Sequence, residues 1–85
     1  MKRTKVTYGQ LDRVLKSLGF TCRMITDDPP PARVYEHPSG AVLTVPPFPF
    51  TDKVYLHHLV GARTMLDLFG IAEPEIFDAR LQKAG

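Results

Sequence analysis

Arg33-Val34-Tyr35-Glu36-His37-Pro38-Ser39-Gly40-Ala41-Val42-Leu43-Thr44-Val45-Pro46-Pro47 decides the fold. Two strand-like runs flank Pro38-Ser39-Gly40, a turn signal, and so predict a hairpin with strands at 33–37 and 41–45. Side chains alternate along a strand, which sets Val34 and Glu36 on one face and Arg33, Tyr35 and His37 on the other. On the second arm, Ala41, Leu43 and Val45 share a face. Pro46, Pro47 and Pro49 cannot donate to a ladder and end the pairing. Phe48 and Phe50 are then placed to pin the extended crossing onto the core.

Upstream, Thr7-Tyr8-Gly9-Gln10 reads as a capping box, the Thr7 hydroxyl accepting from the Gln10 amide while Gln10 reaches back to the Thr7 amide. Val6 and Leu11 hold the two positions of a hydrophobic staple. Tyr8, Leu11, Leu15 and Leu18 form an apolar stripe at helical spacing, widened by Val14. Asp12, Arg13 and Lys16 fall off that stripe and are expected to face solvent. Gly19 supplies the left-handed stop, with Phe20 folding back on Leu15. Phe20, Cys22 and Met24 alternate, predicting a further strand. Asp27-Asp28-Pro29-Pro30-Pro31 ends it as a stiff surface loop. Residues 1–5, polar and basic, are expected to fray.

Downstream, Thr51 is a second N-cap with Asp52 in the first turn, where the helix dipole favours an anion. Tyr55, His58 or Leu59, Ala62, Leu66 and Phe69 form the predicted buried face. Gly70 stops the helix and Ile71 returns to Leu66. Glu73-Pro74-Glu75 opens a short last helix whose apolar residues are Ile76, Phe77 and Leu81. The prediction is one α+β domain over 1–85, ordered α-β-β-β-α. Its three-stranded antiparallel sheet carries two helices on one face, and a short extra helix closes the chain.

With 85 residues and 44% apolar content, the chain is long enough for one modest core and too apolar for disorder. No apolar run approaches the ~20 residues of a membrane span, and no signal-peptide pattern opens the chain. Cys22 is the single cysteine, so no internal disulfide forms and a reducing, cytoplasmic setting is the simplest reading; buried packing is its expected role. The net charge of +2 hides an asymmetry. Residues 1–26 hold six basic side chains against Asp12, and the rest is net acidic. A basic segment attracts a polyanion by releasing its counterions, or it attracts the acidic half of its own chain.

The sequence has no glycine-rich phosphate loop, no Gly-x-Ser-x-Gly and no paired carboxylates, which removes the common hydrolase readings. His57 and His58 point ~100° apart on a helix and have no ligating partner at three or four residues, so neither metal nor cofactor is expected. Arg63 and Asp67 read as a surface ion pair. His37 reads as a turn histidine bonded to its hairpin; its functional alternative is proton transfer or phosphate contact. Tyr35 beside Arg33 reads as an exposed cross-strand pair, with clamping of an unpaired base as the functional alternative. Lys2, Arg3, Lys5, Arg13 and Lys16 complete the candidate RNA contacts, because duplex RNA is read by shape through phosphates and 2′-hydroxyls.

The order helix, Gly19-Phe20, strand, loop, Tyr35 before His37-Pro38, Val42-Leu43-Thr44-Val45-Pro46, then a helix ending Leu-x-x-Phe-Gly-Ile resembles the HicA-type toxin family over residues 7–82. That resemblance implies a double-stranded-RNA-binding-domain-like fold, cleavage of messenger RNA, and inhibition by a HicB-type antitoxin. The family pattern also places Gly-Ser-His where Pro30-Pro31-Ala32 stands here. An alanine methyl moves no proton, so the general acid–base help that a histidine supplies is missing at Ala32. The expected function is therefore a non-catalytic RNA-binding relative of the toxin fold. Two alternatives stand beside it: an active ribonuclease using His37, and a protein-interaction module that pairs with an antitoxin-like protein or a second copy.

Overall fold

A computed structural model describes residues 2–27 and 30–84. The elements run β1 (Arg3–Thr7), α1 (Tyr8–Ser17), β2 (Thr21–Ile25), β3 (Ala32–Glu36), β4 (Val42–Val45), β5 (Lys53–Tyr55), α2 (Leu56–Leu68) and α3 (Pro74–Ala84). Of the expected proline loop, Asp28 and Pro29 lie outside the described residues.

The hairpin forms as its turn chemistry dictates. The His37 amide donates to Ala41 (3.0 Å), the Gly40 amide donates back to His37 (2.9 Å), and Gly40 sits at φ +97°. β2, β3 and β4 make one antiparallel sheet in that order. Cys22, Tyr35 and Leu43 lie side by side across it. Tyr35 joins the core with Val45, Tyr8, Leu11 and Leu15 of α1, Leu66 of α2 and Phe77 of α3, while Cys22 and Leu43 pack against it partly buried. On the other face, Arg23 pairs with Glu36 at 2.7 Å. The fold is α+β, and among the described residues no helix is long and apolar enough to cross a membrane.

Both helix stops follow the glycine rule. Phe20 donates to Leu15 and Gly19 to Lys16, each at 3.1 Å; Ile71 donates to Leu66 at 2.9 Å and Gly70 to Asp67 at 3.1 Å. These are the two hydrogen bonds of a Schellman motif, made twice. The capping box of α1 also closes, with Gln10 donating to the Thr7 hydroxyl (3.1 Å) and Thr7 donating to Gln10 Oε1 (2.8 Å).

Six expectations need correction. Residues 3–7 do not fray: β1 pairs antiparallel with β5, and the Thr4 hydroxyl donates to the Val54 carbonyl at 2.9 Å. Its cationic residues mask the β-branched Thr4, Val6 and Thr7, which suit a strand. Pairing with β1 also moves the start of α2. Lys53–Tyr55 is strand, and the N-cap is Tyr55 rather than Thr51. The 50–52 turn instead caps α1, since Tyr8 donates to Asp52 (2.9 Å) and Gly9 to Phe50 (3.0 Å). Asp12 is buried at 6% exposure, not solvent-facing, whereas Phe69, expected on the buried face, is 49% exposed. Phe50 also stays outside the core, half exposed beneath the Arg33 guanidinium (4.4 Å). Finally, Arg63 reaches Asp78 of α3 at 3.1 Å instead of Asp67, because docking α3 on α2 offers a partner that helix spacing cannot reveal.

Candidate nucleic-acid interface

His37 is held at both ring nitrogens. Nδ1 accepts from the Ser39 amide at 3.0 Å, with the Ser39 hydroxyl at 2.8 Å. The proton then sits on Nε2, which donates to the Leu18 carbonyl at 3.2 Å. The ring also packs on Phe20, centroid to centroid 4.9 Å. It clips the hairpin turn to the end of α1 and has no lone pair to spare for a substrate.

Tyr35 is not the exposed residue that a base clamp needs. It is 2% exposed, and its hydroxyl donates to Asp12 Oδ1 at 2.7 Å. Strand alternation had set it on one face correctly, but that is the face α1 covers. Burial first, then the Asp12 hydrogen bond, pushes its pKa far above the ordinary tyrosine value. Asp12 also takes the exposed Lys16, at 3.1 Å, so the Lys16 charge is already paired. Arg33 lies over Phe50, with its Nη1 buried and unbonded.

The remaining basic candidates divide into two places. Arg13 projects from α1 toward the end of α3, donating to the Ala84 carbonyl. There it lines a groove of about 300 Å³ with Ser17, Arg80 and Lys83. Arg80 donates to the Ser17 hydroxyl at 3.3 Å. No carboxylate among the described residues pairs with Arg13, Arg80 or Lys83. Arg80 and Lys83 were missing from the sequence reading. Their three-residue spacing puts them on one helix face, but only the docking of α3 onto α1 brings Arg13 beside them.

Lys2 just before β1, and Arg3 and Lys5 on it, lie beside an aromatic cluster that the sequence did not announce. The Arg3 guanidinium lies 4.2 Å from the centre of the Tyr55 ring and donates to its hydroxyl at 2.8 Å. That hydrogen bond raises the Arg3 pKa further, so this cation is permanent. Tyr55 stacks on His57 (5.8 Å, 29°), and His57 touches His58 (4.1 Å). His58 Nδ1 meets the Tyr8 hydroxyl at 2.8 Å. Burial, reinforced by His57, lowers the His58 pKa, which keeps that imidazole neutral near pH 7. Among the described residues, no three His, Cys, Asp or Glu side chains converge as a metal site would require.

Comparison with family models, with curated proteins and with solved structures finds no match.

Proposed function

We propose that this protein binds RNA through its phosphates and does not cleave it. The observation that carries the reading is the groove between α1 and α3. Three cations, Arg13, Arg80 and Lys83, line it with the Ser17 hydroxyl, and no acidic side chain neutralises them among the described residues. A cluster of like charges costs the fold some self-repulsion and is relieved by a polyanion. Three phosphate contacts should give a log–log salt slope of roughly −2 to −3.

The resemblance to HicA-type toxins supports RNA as the polyanion, since that family acts on RNA. The catalytic half of that resemblance has no support in this chain. Ala32 stands where the family pattern has histidine, and His37 spends both ring nitrogens on Ser39 and Leu18.

Fluorescence anisotropy with labelled RNA, single-stranded and duplex, at several salt concentrations tests the reading. Binding should weaken with salt, and a double variant, Arg80→Ala with Lys83→Ala, should lower the slope by about 2. The RNA should remain full length on a denaturing gel. Micromolar protein with no salt-sensitive binding would overturn the proposal, and RNA cleavage that survives purification but is lost in His37→Ala would replace it with the ribonuclease reading.

A further inference from the structure

We infer that the ring of His57, stacked on Tyr55, is the landing site for one unpaired nucleobase of a bound RNA. The inference deepens the RNA-binding reading and rests on it, but a different part of the surface carries it.

The stack is built from the inside outward. Phe48 packs edge-on against Tyr55, 5.7 Å between centroids. The Arg3 guanidinium lies over the same phenol and is itself tied to the Lys53 carbonyl (3.2 Å) and to Tyr55 Oη (2.8 Å). Tyr55 is therefore fixed at its edge, its face and its hydroxyl. His57 lies nearly parallel to it, with 29° between the planes, and its other neighbour is His58 at 4.1 Å. His57 is exposed, and among the described residues its ring makes no hydrogen bond. Ring contacts alone hold it, and the residue stays exposed to solvent.

A flat ring fixed in place and open to water is what a base requires, because stacking loses little entropy when one partner is already immobile. Bases stack on histidine as on other aromatic side chains. The base must be unpaired, since a base inside a duplex already has neighbours on both faces. Exposed Lys5 and Lys53 on the same pair of strands, with Lys2 just before them, supply charge for the flanking phosphates.

His58 adds a donor beside the stack. The Tyr8 oxygen accepts from the Tyr55 amide at 3.4 Å, and among the described residues His58 Nδ1, at 2.8 Å, is the one acceptor its own proton meets. The neutral imidazole then carries its hydrogen on Nε2, for which no partner is present among the described residues. It can donate to a carbonyl on the base edge or to a phosphate oxygen. The same tautomer argues against His57 and His58 as an acid–base pair, because the outer nitrogen of His58 has no lone pair with which to take a proton.

The test compares wild type, His57→Ala and His57→Phe by anisotropy against a labelled single-stranded oligoribonucleotide and a blunt duplex of equal length. His57→Ala should weaken single-strand binding about fivefold to a hundredfold and leave the duplex constant unchanged. His57→Phe should restore single-strand binding, since it keeps the ring and discards the imidazole chemistry. Circular dichroism confirms that each variant is folded. Wild type that binds both RNAs with His57→Ala indistinguishable from it, or weakened equally on both, would overturn this inference and leave the groove reading intact. Wild type that binds neither RNA would overturn both.

Discussion

The Tyr35 hydroxyl, on the central strand of the sheet, donates to the Asp12 carboxylate on α1 across 2.7 Å. Asp12 Oδ2 takes Lys16 at 3.1 Å, so both oxygens of a buried carboxylate are occupied. The bond ties helix to sheet inside the core, and removing one partner leaves a charged acceptor short of hydrogen bonds. Tyr35→Phe keeps the ring and its packing, so it isolates that loss. It should cost about 1–3 kcal/mol in a urea denaturation curve, through a lower midpoint at constant slope. An unchanged midpoint would show that water replaces the hydroxyl without penalty.

The same environment gives stability a definite dependence on alkaline pH. Burial, then the Asp12 hydrogen bond, hold Tyr35 in its protonated form well above its ordinary pKa. An unfolded chain releases that proton near pH 10 while the folded chain retains it, so the unfolded state gains as pH rises and stability falls. Tyr8, raised mainly by its burial, acts in the same direction. Denaturation midpoints measured between about pH 9 and pH 11 should therefore decline, and the decline should be shallower in Tyr35→Phe. Parallel curves for the two proteins would remove Tyr35 from the account.

The two Schellman stops look equivalent in sequence and are not equivalent in space. Gly19 (φ +100°) and Gly70 (φ +67°) both adopt a left-handed conformation, which costs an L-residue about 1–2 kcal/mol. A Cβ at Gly70 would meet nothing, whereas one at Gly19 would lie 3.3 Å from His37 Nε2. That nitrogen donates to the Leu18 carbonyl, so an added methyl crowds the clip holding the hairpin turn to α1. Gly19→Ala should lower the melting temperature more than Gly70→Ala. Equal losses would mean that the imidazole moves aside freely.

The start of α1, both glycine stops, the hairpin and the three-stranded sheet were legible because each has a local chemical signature. Thr7 with Gln10, Gly19 with Phe20, and Pro38-Ser39-Gly40 fix geometry within a few residues. What escaped depends on partners distant in the chain. Asp12 looked solvent-facing because α1 alone does not announce that Tyr35 will arrive over it. β1 looked like a tail because its pairing partner, Lys53–Tyr55, lies about fifty residues away and resembles the first turn of a helix. The candidate sites failed to show for the same reason. Arg13 meets Arg80 and Lys83 only after α3 docks, and His57 gains its stacked platform only once β5 places Tyr55 beneath Arg3.

The pairing of β1 with β5 makes the amino-terminal residues structural, and deleting them tests this directly. Removing residues 1–5 leaves Thr7 and Gln10 to cap α1, so the first helix should survive. It removes the Thr4 hydroxyl from the Val54 carbonyl (2.9 Å), the Lys2 carbonyl from the Leu56 amide (2.9 Å) and Arg3 from Tyr55. Val54, fully buried in the intact chain, loses the strand beside it. The truncated protein should melt at a lower temperature, and hydrogen exchange should quicken at Val54, Tyr55 and Leu56 while the amides of β2–β4 keep their protection. A melting temperature and exchange pattern equal to those of the full chain would reduce β1 to a surface decoration, and would also remove the support that Arg3 gives to the Tyr55–His57 stack.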